Sequence, residues 1–213
     1  MVAKGATHVT DACGTHPERC WGYAGEGKLV IAELKGTILR GVLRDAKENL
    51  PGGIDRLMQG VAPTIVETHF ATNIIHGSWY SYEAFVALLE AYSKAPGFSG
   101  PDAFVDLGKR MAERDLTSLL KVYAMVASPV HLADVPQKVW TQRFRNAGSG
   151  STEKGESSFR FTITGFPDIH RLHCELLTGY GLDTGLRKSK SFATVHDRCV
   201  HKGDTACSFL SSW

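Results

Sequence analysis

From Leu34 to Leu43 the apolar residues Leu34, Ile38, Leu39, Val42 and Leu43 recur at intervals of about three or four, and Pro51-Gly52-Gly53 follows. That period lays one apolar stripe along a helix, which the Pro-Gly-Gly run ends. A second helical stretch is expected over roughly residues 54–76, broken at Gly77-Ser78. From Ser81 onward, Phe85, Leu88, Leu89 and Tyr92 mark a third, closed by Pro96-Gly97. Pro101-Asp102 opens a fourth. In it Phe104, Leu107, Met111, Leu119, Leu120 and Tyr123 predict one long helix, or two jointed near Arg114-Asp115.

The period then changes. Trp140, Gln142 and Phe144 alternate with Thr141 and Arg143, a strand-like pattern, and Gly148-Ser149-Gly150-Ser151-Thr152 reads as a flexible turn. Phe159, Phe161 and Ile163 alternate with Arg160, Thr162 and Thr164, a cleaner strand. Pro167-Asp168 starts a helix to about Leu177, which Gly179-Tyr180-Gly181 is expected to stop. Residues 190–213 read as two short strands joined by a turn at Lys202-Gly203-Asp204. Helices first and an antiparallel sheet afterwards predict a single α+β domain over residues 29–213. Residues 1–28, rich in Gly, Thr and His and without a hydrophobic period, predict a loosely ordered lead-in.

Composition narrows the function classes. A chain of 213 residues with 43% hydrophobic and 22% charged content suits one soluble globular domain. Lys and Arg number 24 against 22 Asp and Glu, so no electrostatic footprint points to nucleic acid or an anionic membrane. The densest basic run, Arg187-Lys188-Ser189-Lys190, reads as a solvated loop. The chain contains neither a membrane-length apolar run nor a secretory start, and the expectation is a cytoplasmic protein. In a reducing compartment five Cys point to metal binding or burial before disulfides.

Four of the nine His and three of the five Cys fall within residues 170–207. His196 and Cys199 are separated by two residues, and Cys207 follows across the Gly203-Asp204 turn, so a hairpin brings Cys199 and Cys207 together. Cys174, on the preceding helix, supplies a fourth donor. Three thiolates and one imidazole complete a structural zinc tetrahedron with no place for water. Three other readings stay open: the Cys residues fill core gaps, Cys199 and Cys207 form a disulfide, or His170 or His201 replaces a ligand.

The ending Cys199-Val200-His201-Lys202-Gly203-Asp204-Thr205-Ala206-Cys207-Ser208-Phe209 resembles the closing motif of the four-vinyl-reductase domain. It is also similar to the sensory domains of aromatic-responsive transcription activators. That superfamily includes nitric-oxide-sensing haem domains and a Golgi transport component. Its zinc-bearing members place a Cys on a helix, then Gly-Phe/Tyr, then an acidic residue three before the first Cys of the final pair. Here Cys174 precedes Gly179-Tyr180, and His196 stands where those members have Glu. Leu34-Lys35-Gly36-Thr37-Ile38-Leu39 and Gly77-Ser78-Trp79-Tyr80 resemble a paralogous myxobacterial family with the same type of ending. The resemblance spans roughly residues 33–213. It implies a structural Zn2+ held by Cys174, His196, Cys199 and Cys207, pinning the last hairpin in a sensory domain.

Other signals carry less. Gly22 to Lys28 has phosphate-loop spacing, but Leu29 stands where the loop needs Ser or Thr. Cys13, His16 and Cys20, with His8, are spaced to form a second metal site. His69 and His76 stand seven apart beside Trp79 and Tyr80, an arrangement that a haem could use. The Tyr-x-Ser-x-Arg motif of the haem-sensing relatives is absent from this sequence. His69, His76, Trp79, Tyr80, Phe85, Trp140 and Phe144 form the candidate ligand pocket, since such sites are mostly apolar and aromatic. No nucleophile elbow, His-Glu-x-x-His or paired-carboxylate motif points to an enzyme. The expected function is a zinc-containing sensor of a small hydrophobic or aromatic ligand, acting as a homodimer or through a partner. The alternatives are a haem-based gas sensor using His69 or His76, then an enzyme on a tetrapyrrole or aromatic substrate.

Overall fold

The computed structural model describes residues 23–24, 28–29, 31–100, 102–115, 131, 133–186 and 192–213. The chain divides into two compact units, Met1–Ile31 and Ala32–Trp213. In the first, β1 (Tyr23–Ala24) pairs antiparallel with β2 (Lys28–Leu29). Cys13, His16 and Cys20 lie outside the described residues.

The second unit opens with β3 (Glu33–Lys35), which runs directly into α1 (Gly36–Asn49). Ile38, Leu39, Val42 and Ala46 form the buried stripe of α1, as the spacing predicts. After α2 (Gly53–Gln59), the short α3 (Pro63–Ile65) continues as one π-helical turn over Val66–Phe70. Then come β4 (Trp79–Ser81) and α4 (Tyr82–Ser93), whose Phe85, Leu88, Leu89 and Tyr92 are buried. Ser81 caps α4 by accepting a hydrogen bond from the Glu83 backbone N–H. Next are α5 (Ala103–Asp115), α6 (Val135–Arg143) and β5 (Phe144–Arg145). The remaining elements are β6 (Ser149–Lys154), β7 (Ser158–Thr164), α7 (Arg171–Leu186), β8 (Ala193–Arg198) and β9 (Ala206–Ser212).

The fold is α+β. A four-stranded antiparallel sheet has the order β6-β7-β9-β8, and a small three-stranded sheet the order β4-β3-β5. One continuous core joins α1, α4 and α5 to Trp140, Phe161, Ile163, Cys174 and Phe209.

Several local expectations give way to tertiary context. Trp140 and Phe144 alternate like strand residues but lie four apart, which is also one helical face. Residues 135–143 form helix α6, and the Trp140 and Phe144 rings stack with centroids 4.1 Å apart. The Gly148–Thr152 segment is not a turn beyond its first residue. Ser149 to Thr152 pair with Thr164 to Phe161, and the ladder outweighs poor strand propensity. The predicted helix over 54–76 breaks at Gly60 and is irregular after Phe70. The two strands β3 and β4 lie within the part read as wholly helical; at three residues each they are too short to show a period. The continuation of α5 toward Tyr123 falls outside the described residues.

The helix expected to stop at Gly179 runs on to Leu186. Its glycines serve packing. A Cβ on Gly179 would lie 1.8 Å from the Val105 carbonyl oxygen of α5, and one on Gly108 of α5 would lie 2.0 Å from the Leu176 carbonyl oxygen. The two backbones touch, and only glycine permits that.

Charge also ties helices together. Asp45 of α1 is fully buried and accepts hydrogen bonds from Arg110 Nε and Nη2 (2.8 and 2.9 Å), Arg114 Nη1 (2.7 Å) and Tyr92 Oη (2.7 Å). Burial alone would raise this carboxyl, but these donors hold it below the ordinary 3.8. Its stabilising effect is therefore complete above the unfolded carboxyl value and is lost as pH falls below that value and through the lower folded one. Asp45→Asn leaves two guanidiniums facing a neutral amide. Both reach solvent in part, so the expected loss is about 3 kcal/mol, the low end for a broken buried pair. Urea denaturation of both proteins at neutral pH and near pH 3 checks this: the gap between them should narrow in acid.

Candidate metal centre and ligand cavity

Cys174 lies on α7, His196 on β8, Cys199 just beyond it and Cys207 on β9. Their donor atoms all fall within 4.8 Å of one another, and the Cys174 and Cys207 sulfurs are 3.7 Å apart. Two thiolates bound at about 2.3 Å in a tetrahedron stand about 3.7 Å apart, so this spacing is compatible with a tetrahedral metal site. All three thiols are buried and free. His196 stacks on Phe209 at 4.7 Å, and its buried Nε2 has no hydrogen-bond partner. A buried imidazole nitrogen without a partner is costly unless something binds it. The hydrogen bond from Cys174 pulls the Cys207 thiol well below its ordinary value, while Cys174 itself is pushed up.

Local geometry fixes the donors. The ladder slips between His196 and Arg198, and that bulge turns the strand end so that His196 and Cys199 converge. Asp197 at the bulge accepts from Ser208 Oγ of β9 (2.6 Å) and from Arg160 Nη2 of β7 (2.7 Å). After Cys199 the chain makes one 3-10 turn, and Gly203 adopts φ 93°, a left-handed conformation that suits glycine. Asp204 Oδ2 then accepts the Cys199 backbone N–H at 2.8 Å. The two other histidines near this centre are engaged elsewhere. His201 Nε2 contacts the Ile169 carbonyl at 2.7 Å, and His170 Nδ1 accepts the Leu172 N–H.

Phe209 links this centre to an apolar cavity of about 100 Å³ between α6, α7 and the larger sheet. Val139, Trp140, Phe144, Phe161, Leu177 and Phe209 are among its walls. Trp140 is buried and its indole Nε1–H has no partner. Of the seven residues expected to share a pocket, only Trp140 and Phe144 line this one. Phe85 is core, packed on Tyr82 and His173. Tyr80 Oη accepts the Ile75 N–H, Trp79 carries Lys35 and Arg145 on its ring, His69 sits in the π-helical turn, and His76 lines a separate groove.

Sequence reasoning missed His173. It is fully buried, stacks on Trp140 and Phe144, and shares a hydrogen bond between its Nδ1 and Tyr82 Oη at 3.0 Å. Tyr82 Oη in turn accepts the His170 backbone N–H at 2.9 Å. Burial pushes His173 down to about 3, so it is neutral at ordinary pH. Its signal was weak, a single His beside a cysteine.

Comparison with solved structures places this fold. An H-NOX protein from S. oneidensis in the Fe(II)NO ligation state shares 12% identity at TM-score 0.59, covering 84% of this chain and 98% of its own. An H-NOX variant from K. algicida, Fe(II) and unliganded, shares 16% identity at TM-score 0.59, over 84% and 96%. A third, from work on haem distortion in the H-NOX family, shares 7% identity at TM-score 0.58, over 84% and 95%. The fold is that of the H-NOX proteins. No family model matches the chain, and no curated protein matches it in sequence.

Among the described residues, those lining the cavity offer a haem no ordinary axial ligand, while His76 lines the separate groove. Among those lining the cavity there is no His, Cys or Met, and the one phenol, Tyr180, donates to Asp115 Oδ2 at 3.1 Å. His173 stacks on two cavity residues but is not itself part of the lining. The Tyr82 hydroxyl is the joint of this region. Tyr82→Phe should cost about 1–3 kcal/mol, the loss for leaving buried polar groups unpaired. Urea titration followed by circular dichroism checks it, with Phe85→Leu as the packing comparison.

Proposed function

We propose that this chain is a sensory domain that binds a small molecule in the cavity bounded by Trp140, Phe144 and Phe209. Zn2+ on Cys174, His196, Cys199 and Cys207 would fix one wall of that cavity. The carrying observation is the apolar, aromatic cavity lined by Trp140, Phe144, Phe161 and Phe209. Such a site favours a small hydrophobic or aromatic molecule. The four-donor centre leaves no coordination position for water, so the ion's contribution is to folding. It would tie α7 to the β8–β9 hairpin, and Phe209 would carry the constraint to the cavity. The output, through a homodimer or a partner protein, belongs to the same reading: a ligand acts by shifting two packings in proportion to its differential affinity.

A second reading is favoured by the fold. The structural neighbours are H-NOX proteins characterised in Fe(II) and haem states. In that reading the domain is a haem-based gas sensor using His69 or His76. The two readings part in one preparation. Untagged protein should carry one zinc per chain by elemental analysis and show no Soret band. A Soret band at one haem per chain establishes the second reading, and zinc below about a tenth of an equivalent in folded protein removes the metal from the first. Cys207→Ser should lose the ion and lower the melting temperature sharply, because structural zinc contributes about 10–16 kcal/mol. His196→Cys should keep it, since an all-thiolate site also suits zinc.

A further inference from the structure

A separate groove of about 1120 Å³ shares no lining residue with the cavity. Its lining includes the apolar, compliant side chains of Ile54, Met58, Phe70 and Met111 and the cations of Lys35, Arg40 and Arg44. The remaining charges there are internally matched. Arg143 pairs with Asp115, and Arg114 pairs with Asp45 and Glu48. The three cations are not matched by any acid among the described residues. Among the described residues, Lys35 Nζ meets the Gly77 carbonyl and the Trp79 ring, Arg40 meets the Ile74 carbonyl at 3.4 Å, and the Arg44 side chain makes no hydrogen bond or ion pair.

We infer that this groove binds a single-chain amphiphilic anion: a carboxylate or similar headgroup against Arg40 and Arg44, with its hydrocarbon tail along Met58 and Met111. The composition decides the class. A purely polar anion would make no use of the apolar lining, and a neutral apolar molecule would make no use of the three cations. The volume exceeds that of ordinary compact-ligand pockets, about 300–1,000 Å³, and leaves room for an extended chain. Met side chains adapt to a flexible tail, and a guanidinium matches a carboxylate with two parallel hydrogen bonds. The Met111 methyl would lie 2.8 Å from a Cβ on Gly41, so α1 lies close against Met111. Neither the metal nor the cavity enters this inference.

The probe is dodecanoate, below its micelle concentration, titrated calorimetrically into the full chain. Saturable binding at one per chain is expected. Arg40→Glu/Arg44→Glu should weaken it by at least about tenfold, with Arg44→Ala intermediate. Both arginines are exposed, so an unchanged melting temperature shows that the double variant folds. Val139→Phe, which fills the cavity, should leave dodecanoate binding unchanged. The inference is overturned if dodecanoate does not bind, if the double variant binds equally, or if Val139→Phe abolishes binding. Inorganic phosphate or dodecyl maltoside binding as well as dodecanoate also overturns it, as does cosedimentation with anionic vesicles without dodecanoate binding.

Discussion

Backbone contact between α5 and α7 at Gly108 and Gly179 sets how deep α7 lies, and the site inherits its geometry from that depth. A side chain at either glycine would push the helices apart by the width of a methyl group. Leu172, Cys174 and Leu176 could not then occupy the core positions they hold between α4, α5 and the sheet. The hairpin brings its three donors from one side, so the fourth must arrive on a helix held at a definite distance. Cooperation between a helix and a sheet edge, rather than any local motif, forms the four-donor centre.

Charge follows a different logic in the helical half. Asp45 is a carboxylate with every oxygen engaged, bringing α1, α4 and α5 to one point. Removing one partner costs more than the network contributes as a whole, because the desolvation has already been incurred. Asp197 does comparable work in the sheet, where a half-exposed setting makes each contact weaker but fixes the bulge next to His196. Neither acid faces the cavity, whose described lining carries no charged side chain.

The sequence carried the α+β class and most helices, because α1, α4 and α5 bury clean stripes at helical spacing. It also carried the four residues that the structure gathers into one cluster, since the Gly203 turn and the helix before it were both visible. The missing parts depend on partners distant in sequence. Strand β6 has no propensity of its own and exists because β7 is beside it. Helix α6 repeats aromatic residues at a spacing that strands share. Gly179 looks like a helix stop until the Val105 carbonyl is known to lie against it. The cavity was beyond reach for a similar reason: Trp140 and Phe144 meet Phe209 only through the tertiary fold, while His69, His76, Trp79 and Tyr80, close in sequence, belong to other surfaces.

The Tyr82 hydroxyl has a consequence for how the molecule comes apart. It belongs to α4, in the first half of the chain, yet it bonds the His173 ring and the His170 backbone in the second. The β4-β3-β5 sheet crosses the same divide, with Phe144 and Arg145 paired to Leu34 and Glu33. Helical and sheet halves that follow one another in sequence are therefore not separable modules. Fragments cut between α5 and α6 would each expose a raw face of the shared core, and unit Ala32–Trp213 should lose its structure in a single cooperative step rather than half by half.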